Sequence, residues 1–260
     1  MTGIDTATPR TRPSSWVARP RRAANPALRL ICFPHVGAGG AAFNAWLDLL
    51  PADVELCAIR FPGRENRLRE PLVDDWRELL DGLEPALAPL LDTPFVIVGH
   101  CSGSVLAYEY ARRLIAAGGP APAMVVLSSA PAPAVRQIDD PLHLLPRQEL
   151  LERVIEFGGM AKEILDDPEL MVMFERILRA DYRVIERLEY STGEPLPVPI
   201  TLLGGRRDEF VSCADLAAWS AETTMEFSLH LLDAGHYILT EAGALVADAV
   251  RGLLGREAQP

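Results

Sequence analysis

Gly99-His100-Cys101-Ser102-Gly103 is the segment of this chain that most strongly indicates a fold. The apolar run at residues 95–98 precedes it and predicts a buried strand, and residues 105–111 follow it with helical spacing. A strand, a Gly-x-nucleophile-x-Gly turn and a helix together form a nucleophile elbow. Glycines flank the reactive residue because the turn is too tight for a Cβ atom. The residue at the nucleophile position is a cysteine, which predicts a thiol nucleophile at residue 101.

Ser102 offers a second frame for the same turn. With Ser102 as the nucleophile, the motif would be His100-x-Ser102-x-Ser104, which lacks both flanking glycines. A Cβ atom on either side of the nucleophile crowds this type of turn. We therefore expect Cys101, and not Ser102, to be the reactive residue.

The composition fits an α/β domain with an insertion and argues against several classes of function. Of the 260 residues, 49% are hydrophobic, enough for a sheet covered on both faces. The net charge of −11, with no basic block beyond the N-terminal segment, argues against a nucleic-acid partner. The 4 cysteines are scattered without a C-x-x-C pair, so neither a zinc ribbon nor a thioredoxin motif is expected and no metal site is predicted.

No segment of the sequence suggests export or insertion into a membrane. Residues 1–26 contain several Arg and Pro residues but no apolar h-region. No apolar run approaches the ~18–20 residues that span a bilayer. We expect a cytoplasmic protein, without a membrane partner, that exists as a monomer.

Strand and helix patterns alternate along most of the chain. Strand patterns lie at residues 28–33, 54–61, 95–98, 124–127, 199–205 and 227–232. With helical patterns between them, they predict an α/β fold with a mostly parallel, doubly covered sheet, and the elbow makes it an α/β-hydrolase fold. Residues 131–190 show only helical periodicity and predict a lid, the alternative being helices that merely cover the sheet. The predicted units are a poorly ordered arm at 1–26, a core at 27–130 and 191–256, and the helical lid at 131–190.

A nucleophile of this kind needs a histidine base and a carboxylate that orients it, in the chain order nucleophile, acid, histidine. His230 lies inside the last strand pattern, whereas His236 follows that strand, at the end of the sheet where α/β proteins build their sites. We therefore expect His236 to be the base. Asp208, in the loop after the preceding strand, is the favoured acid, with Glu209 and Asp233 as the alternatives.

The oxyanion hole needs two backbone N–H groups. One is predicted to be that of Ser102, directly after the nucleophile. The other is predicted to come from the glycine-rich turn at residues 34–40, after the first strand pattern of the core. Val36 is the favoured donor in this turn, with Gly37 and Ala38 as alternatives.

Three further residues are candidates for the surroundings of the nucleophile. His35 is expected either to contact substrate or to make a structural hydrogen bond, and His100 to pack against or brace the elbow. Gly37 lets the backbone of the turn approach a ligand closely, since it has no side chain.

Several motifs resemble those of one enzyme family. Besides the elbow, they are Cys32-Phe33-Pro34-His35-Val36-Gly37-Ala38-Gly39, Phe61-Pro62-Gly63-Arg64-Glu65, Leu178-Arg179-Ala180-Asp181-Tyr182 and Gly235-His236. The chain thereby resembles the type II (external, editing) thioesterases of polyketide and non-ribosomal peptide biosynthesis. Taken in the same order, the four segments are similar to that family's first-strand turn, its Leu-Pro-Gly-Arg-Glu signature, its Leu-Arg-Ala-Asp lid segment and its Gly-Gly-His. The resemblance covers about residues 16–255. The departure is Cys101, where most members carry serine.

The resemblance implies an acyl or aminoacyl thioester substrate, carried on the phosphopantetheine arm of an acyl or peptidyl carrier protein. It implies no cofactor belonging to the enzyme itself, and lid helices that shape the acyl pocket. Cys101 leads to two hypotheses, because passing an acyl group from one thiol to another is nearly thermoneutral. Either water releases the acyl group, or the enzyme transfers it to another thiol, amine or hydroxyl. In a third interpretation, a scaffold without catalysis, the complete set of Cys101, Asp208 and His236 would be coincidental.

Overall fold

The structure is a computed structural model that describes residues 16–157, 166–190 and 193–255. Within these residues, seven strands form one sheet in the order β1-β3-β2-β4-β5-β6-β7. The strands are β1 (Val17–Ala18), β2 (Leu28–Phe33), β3 (Val54–Ile59), β4 (Phe95–His100), β5 (Met124–Ser128), β6 (Ile200–Gly205) and β7 (Phe227–Leu232). Every pair is parallel except β1 with β3. The predicted mostly parallel sheet is confirmed.

Helices cover both faces of this sheet. The α-helices of the described residues are α1 (Trp76–Leu87), α2 (Ser102–Ala116), α3 (Arg147–Glu156), α4 (Pro168–Glu186), α5 (Cys213–Ala217) and α6 (Leu239–Leu253). Ile31 and Phe33 of β2 pack with residues of α1 and α2 on one face, whereas Leu30 and Cys32 pack with residues of α6 on the other. Successive strand residues point to opposite faces, so each buried strand contributes to two cores.

The N-terminal segment differs from the prediction of a poorly ordered arm at residues 1–26. Residues 1–15 lie outside the described residues, but Val17–Ala18 forms β1, which pairs antiparallel with Ile59 and Ala58 of β3. Trp16 is buried in the core on the same face as α1. The prediction is therefore wrong for residues 16–18, which belong to the sheet and its core. A strand of two residues is too short to produce a periodic pattern in a Pro- and Arg-rich segment.

The predicted lid region, residues 131–190, contains α3 and α4, and its residues 158–165 lie outside the described chain. Asp167 caps α4 by accepting from the N–H groups of Glu169 and Leu170 at 2.9 and 3.1 Å. Leu150 of α3 packs with Phe174 of α4 in a separate apolar cluster that also contacts the turn at residues 34–40. α3 and α4 therefore share an apolar cluster apart from the two cores of the sheet, and only the C-terminal part of α4 joins the sheet core.

The turn between β4 and α2 holds two glycines in direct backbone contact with their surroundings. A Cβ atom at Gly99 would lie 2.5 Å from the Cα of Ser104. A Cβ atom at Gly103 would lie 2.2 Å from the carbonyl oxygen of Phe33 at the end of β2. Neither position tolerates a side chain, so the glycines let α2 begin directly against the neighbouring strand.

We predict that Gly103→Ala lowers the free energy of unfolding by about 2–3 kcal/mol, because the added methyl group must push against a strand backbone that cannot rotate away. The matched control is Gly252→Ala in α6, where a Cβ atom meets nothing within 4 Å. That change should raise the stability by about 0.5–1 kcal/mol, since alanine is the better helix former. Urea unfolding measures both. Equal stability of Gly103→Ala and the unmodified protein would contradict the account of the turn.

Candidate active site

Cys101 lies at the tip of the turn between β4 and α2 in a strained backbone conformation, with φ of 51° and ψ of −123°. Hydrogen bonds to β5 hold this conformation. The Cys101 N–H donates to the carbonyl oxygen of Ser128 at 2.8 Å, and the Ser104 hydroxyl donates to the same oxygen at 3.0 Å. The Ser128 N–H in turn donates to Ser104 Oγ at 3.1 Å. The thiol is thereby presented at the carboxyl edge of the sheet.

The structure brings the three predicted triad residues together. His236 Nε2 lies 3.1 Å from Cys101 Sγ, and His236 Nδ1 lies 2.9 Å from Asp208 Oδ2. Asp208 is held by the loop that follows β6, where its Oδ1 accepts from the N–H groups of Phe210 and Val211 at 2.9 and 3.1 Å. The Asp208 side chain is fully buried, so its carboxylate cannot turn outward to solvent.

The other candidates for acid and base lie apart from this arrangement. Glu209 is exposed, and Asp233 forms an exposed ion pair with Arg207. His230 is exposed on β7, as its position inside a strand predicts. Of these carboxylates, only Asp208 contacts the ring of His236.

The charges at the site favour an imidazolium. Burial alone would lower the pKa of His236, but the charge of Cys101 and the hydrogen bond to Asp208 outweigh it and raise the pKa to about 10. Burial alone would raise the pKa of Asp208, yet the hydrogen bond and charge of His236 lower it below its usual value. A protonated His236 therefore lies between the Asp208 carboxylate and the sulfur of Cys101.

His35 and His100 form an uncharged layer beside His236. His100 is fully buried, its Nδ1 lies 2.9 Å from Ser128 Oγ, and burial lowers its pKa well below the usual value. His35 meets the His100 ring edge-on with centroids 5.4 Å apart, and burial, followed by the charge of His236, lowers its pKa to about 4. Of the three rings only His236 carries a charge at neutral pH. His100 thus braces the elbow, while His35 also lines the cavity in front of the thiol.

The N–H groups of the glycine-rich turn differ in their partners. The Ala38 N–H donates to the carbonyl oxygen of His35 at 3.0 Å, and the Gly37 N–H donates to Asp181 Oδ2 at 2.8 Å. The Val36 N–H donates to the hydroxyl of Ser102 at 2.7 Å. Because a hydroxyl can rotate away, Val36 is the donor in this turn that a ligand oxygen reaches most easily. The Ser102 N–H begins α2, where no carbonyl of the helix itself can accept from it.

A buried ion pair joins the turn at residues 34–40 to the lid. Asp181 of α4 accepts from Arg64 Nη1 and Nη2 at 2.6 and 2.5 Å and, as noted, from the Gly37 N–H. The side chains of Arg64 and Asp181 are only 6% and 12% exposed. Sequence reasoning placed both residues in motifs by resemblance but did not predict their contact. They are separated by 117 residues in the chain, and nothing local in either segment signals the pairing.

A cavity of about 170 Å³ opens in front of the thiol. Its walls include Cys101, His236, Val36, Tyr182 and Tyr237. Burial, followed by the charge of Cys101, raises the pKa of both tyrosines, so their hydroxyl groups stay protonated.

In the described chain, no cluster of three or more His, Cys, Asp or Glu could hold a metal ion. None of the described helices is long and apolar enough to cross a membrane.

Comparisons with known proteins place this arrangement in a family. Residues 28–252 match the profile of the thioesterase domain family. The gramicidin S biosynthesis protein GrsT of Aneurinibacillus migulanus is 32% identical over 215 residues, which are 83% of this chain and 84% of that protein.

Solved structures give the same result. The type II thioesterase BorB from the borrelidin biosynthetic cluster superposes with a TM-score of 0.81 at 29% identity, over 94% of this chain and 98% of that one. The thioesterase RedJ from the prodiginine pathway of Streptomyces coelicolor superposes with a TM-score of 0.79 at 30% identity, over 95% and 96% of the two chains. The predicted α/β-hydrolase fold and the resemblance to type II thioesterases are confirmed. This chain belongs to the thioesterase domain family, and it is a thioester hydrolase.

Proposed function

We propose that this hydrolase releases acyl or aminoacyl groups from the phosphopantetheine arm of a carrier protein in polyketide or non-ribosomal peptide biosynthesis, by way of an acyl-Cys101 intermediate. The observation that carries the proposal is the position of His236, with Nε2 at 3.1 Å from Cys101 Sγ and Nδ1 at 2.9 Å from Asp208. The names of its relatives supply the biosynthetic context, since they include a gramicidin S biosynthesis protein and a type II thioesterase of the borrelidin cluster.

In the first half-reaction the Cys101 thiolate attacks the carbonyl carbon of the thioester. The carbonyl oxygen becomes an oxyanion, which the N–H groups of Ser102 and Val36 stabilise. Val36 exchanges its resting partner, the Ser102 hydroxyl, for this oxygen. The bond from the acyl carbon to the pantetheine sulfur then breaks, and His236 gives its proton to the departing thiolate.

In the second half-reaction water attacks acyl-Cys101. His236, now neutral, takes a proton from the water as it adds to the acyl carbon, and the same N–H groups hold the oxyanion. Collapse of this intermediate releases the acid and restores the thiolate–imidazolium pair. Asp208 keeps Nδ1 of His236 protonated throughout, so Nε2 remains the nitrogen that exchanges the proton.

Transfer to another acceptor is the second candidate function, and Cys101 is the residue that favours it. An acyl-cysteine retains the thioester energy of the substrate, whereas an acyl-serine does not. A second carrier thiol that entered the site in place of water could therefore take the acyl group in a nearly thermoneutral step. The two candidates share the residues Cys101, His236 and Asp208 and differ only in the acceptor.

Asp208→Asn should lower kcat/KM for an acyl thioester at least about 100-fold, because the amide cannot stabilise the imidazolium of His236. The unmodified enzyme should stay active on the alkaline side until the pH passes about 10, where His236 loses its proton. Removing the carboxylate lowers this pKa, so the alkaline limb of the pH profile should move to lower pH. Steady-state rates across the pH range measure both effects.

The matched control is Asp233→Asn, which removes a carboxylate from a loop near His236 that the ring does not contact. This variant should keep the rate and the pH profile of the unmodified enzyme. A larger loss of kcat/KM in Asp233→Asn than in Asp208→Asn would show that Asp208 is not the acid.

An acyl-loaded carrier protein, incubated with the enzyme and a second, empty holo-carrier, should yield free acid and no acylated acceptor. Intact mass spectrometry of both carriers measures how much acyl group is released and how much is transferred. The same measurement on the enzyme detects the acyl-Cys101 adduct. Cys101→Ala should give neither product nor adduct, since the nucleophile is missing. Acylation of the second carrier without release of acid would overturn hydrolysis in favour of transfer.

A further inference from the structure

Arg136 lies in the wall of the cavity that contains Cys101 and His236. It follows β5 and the short 3-10 turn Pro133–Val135, in the first part of the lid region. The mechanism described above does not use this residue. Its side chain is half-buried, and burial lowers the pKa of its guanidinium, partly offset by Tyr190 and Glu186. A desolvated cation in a cavity wall is costly unless an anion compensates it.

No carboxylate forms an ion pair with Arg136 in the described part of the chain. Its one hydrogen bond runs from Nη2 to the carbonyl oxygen of Ile185 at 2.5 Å, in the last turn of α4. Three more deeply buried arginines behave differently, since each contacts a carboxylate. They are Arg29 with Glu55, Arg64 with Asp181 and Arg67 with Glu70. Arg136 thus differs from these three arginines in having no carboxylate partner among the described residues.

The nearest acid that acts on Arg136 is already engaged. Glu186 Oε1 accepts from the N–H of Leu142 at 2.7 Å, and its Oε2 lies 2.5 Å from His143 Nδ1. Oε2 also accepts from the N–H of His143 at 3.2 Å. Both carboxylate oxygens therefore bind the lid backbone and His143, and neither bonds to Arg136.

The bond to Ile185 orients the guanidinium and leaves its other N–H groups available. Neither Nε nor Nη1 of Arg136 is among the buried side-chain atoms that lack a partner, so both are reached from the cavity or from solvent. A guanidinium presents its N–H groups as a planar fork, which matches the two oxygens of a carboxylate. Apolar residues in the lining of the same cavity include Ala130, Leu142 and Ile185.

The size of the cavity bears on which acyl groups on Cys101 can extend to Arg136. Its volume of about 170 Å³ is close to the ~150 Å³ of an engineered cavity that binds benzene. A short acyl chain on Cys101 fits this space.

We propose that Arg136 is a specificity residue that binds the terminal carboxylate of a short dicarboxylic acyl group while its other end is esterified to Cys101. The inference rests on the proposed function for the thioester, and adds the class of acyl group. The acyl chain would lie along the apolar wall, with the thioester carbonyl at the oxyanion hole and the carboxylate on the guanidinium fork. A neutral chain of the same length would fill the same space but leave the cation uncompensated.

The test compares two N-acetylcysteamine thioesters of equal length, glutaryl and pentanoyl, with a Cys101→Ala blank for spontaneous hydrolysis. We expect kcat/KM for glutaryl to exceed that for pentanoyl at least about tenfold. Arg136→Gln should lower or reverse this ratio, and Arg136→Lys, which keeps the charge without the fork, should give an intermediate value. A thermal melt of each variant shows whether it is folded.

The matched control is Arg187→Gln, which removes the same charge from an exposed residue at the C-terminal end of α4. It should leave the glutaryl-to-pentanoyl ratio unchanged, whereas an equal fall in this variant would mean that only the overall charge matters. Equal rates for both thioesters in the unmodified enzyme would overturn the carboxylate site and leave the hydrolase intact.

A binding measurement separates this inference from the proposed function. Free glutarate should slow the alkylation of Cys101 by iodoacetamide more than pentanoate does, and Arg136→Gln should remove the difference. If neither thioester is hydrolysed but glutarate still protects Cys101, the carboxylate site stands and the proposed function fails. If glutarate and pentanoate protect equally, the carboxylate site is wrong whatever the rates of hydrolysis.

Discussion

The contact between the elbow and the end of β2 is the constraint on which the site depends. Gly103 packs so closely on the carbonyl oxygen of Phe33 that no Cβ atom fits between them. This contact allows α2 to start directly after Cys101, which places the positive end of the helix beside the thiol. It also brings the turn that follows β2 next to the nucleophile, where Val36 meets Ser102. One close backbone approach thus sets the nucleophile, the helix terminus and the oxyanion donors in a common place.

The lid is tied to the same turn by charge. Asp181 of α4 holds the Gly37 N–H and the guanidinium of Arg64 together, in a position that is almost closed to water. Hydrogen bonds between ionised groups are stronger and more directional than neutral ones, so this contact orients α4 as well as the turn. The helix that carries Asp181 also carries Tyr182 and Ile185, which line the cavity in front of Cys101. The geometry of the oxyanion hole and that of the pocket are therefore coupled through one carboxylate.

Much of this arrangement could be predicted from local patterns. The alternation of strand and helix patterns predicts the parallel sheet, and the Gly-x-Cys-x-Gly turn indicates Cys101 as the candidate nucleophile. His236 followed from its place after the last strand, because parallel strands end at the same edge of a sheet. Other features of the structure could not be predicted from local patterns. The strand Val17–Ala18 is too short to have a period, and its pairing with β3 depends on residues about forty positions away.

Local patterns along the chain are enough to predict the class of fold and to single out Cys101 and His236 as the candidate nucleophile and base. These follow from periodicity and from residues adjacent in the chain. Contacts in three dimensions settle which carboxylate meets His236 and which N–H of the turn is accessible. They also show that Arg136 lines the cavity without a carboxylate partner among the described residues. The physical reason is that each of these depends on the direction of a side chain or N–H group in a loop. Such directions are set by contacts with distant segments, whereas a strand or helix pattern is set by its own residues.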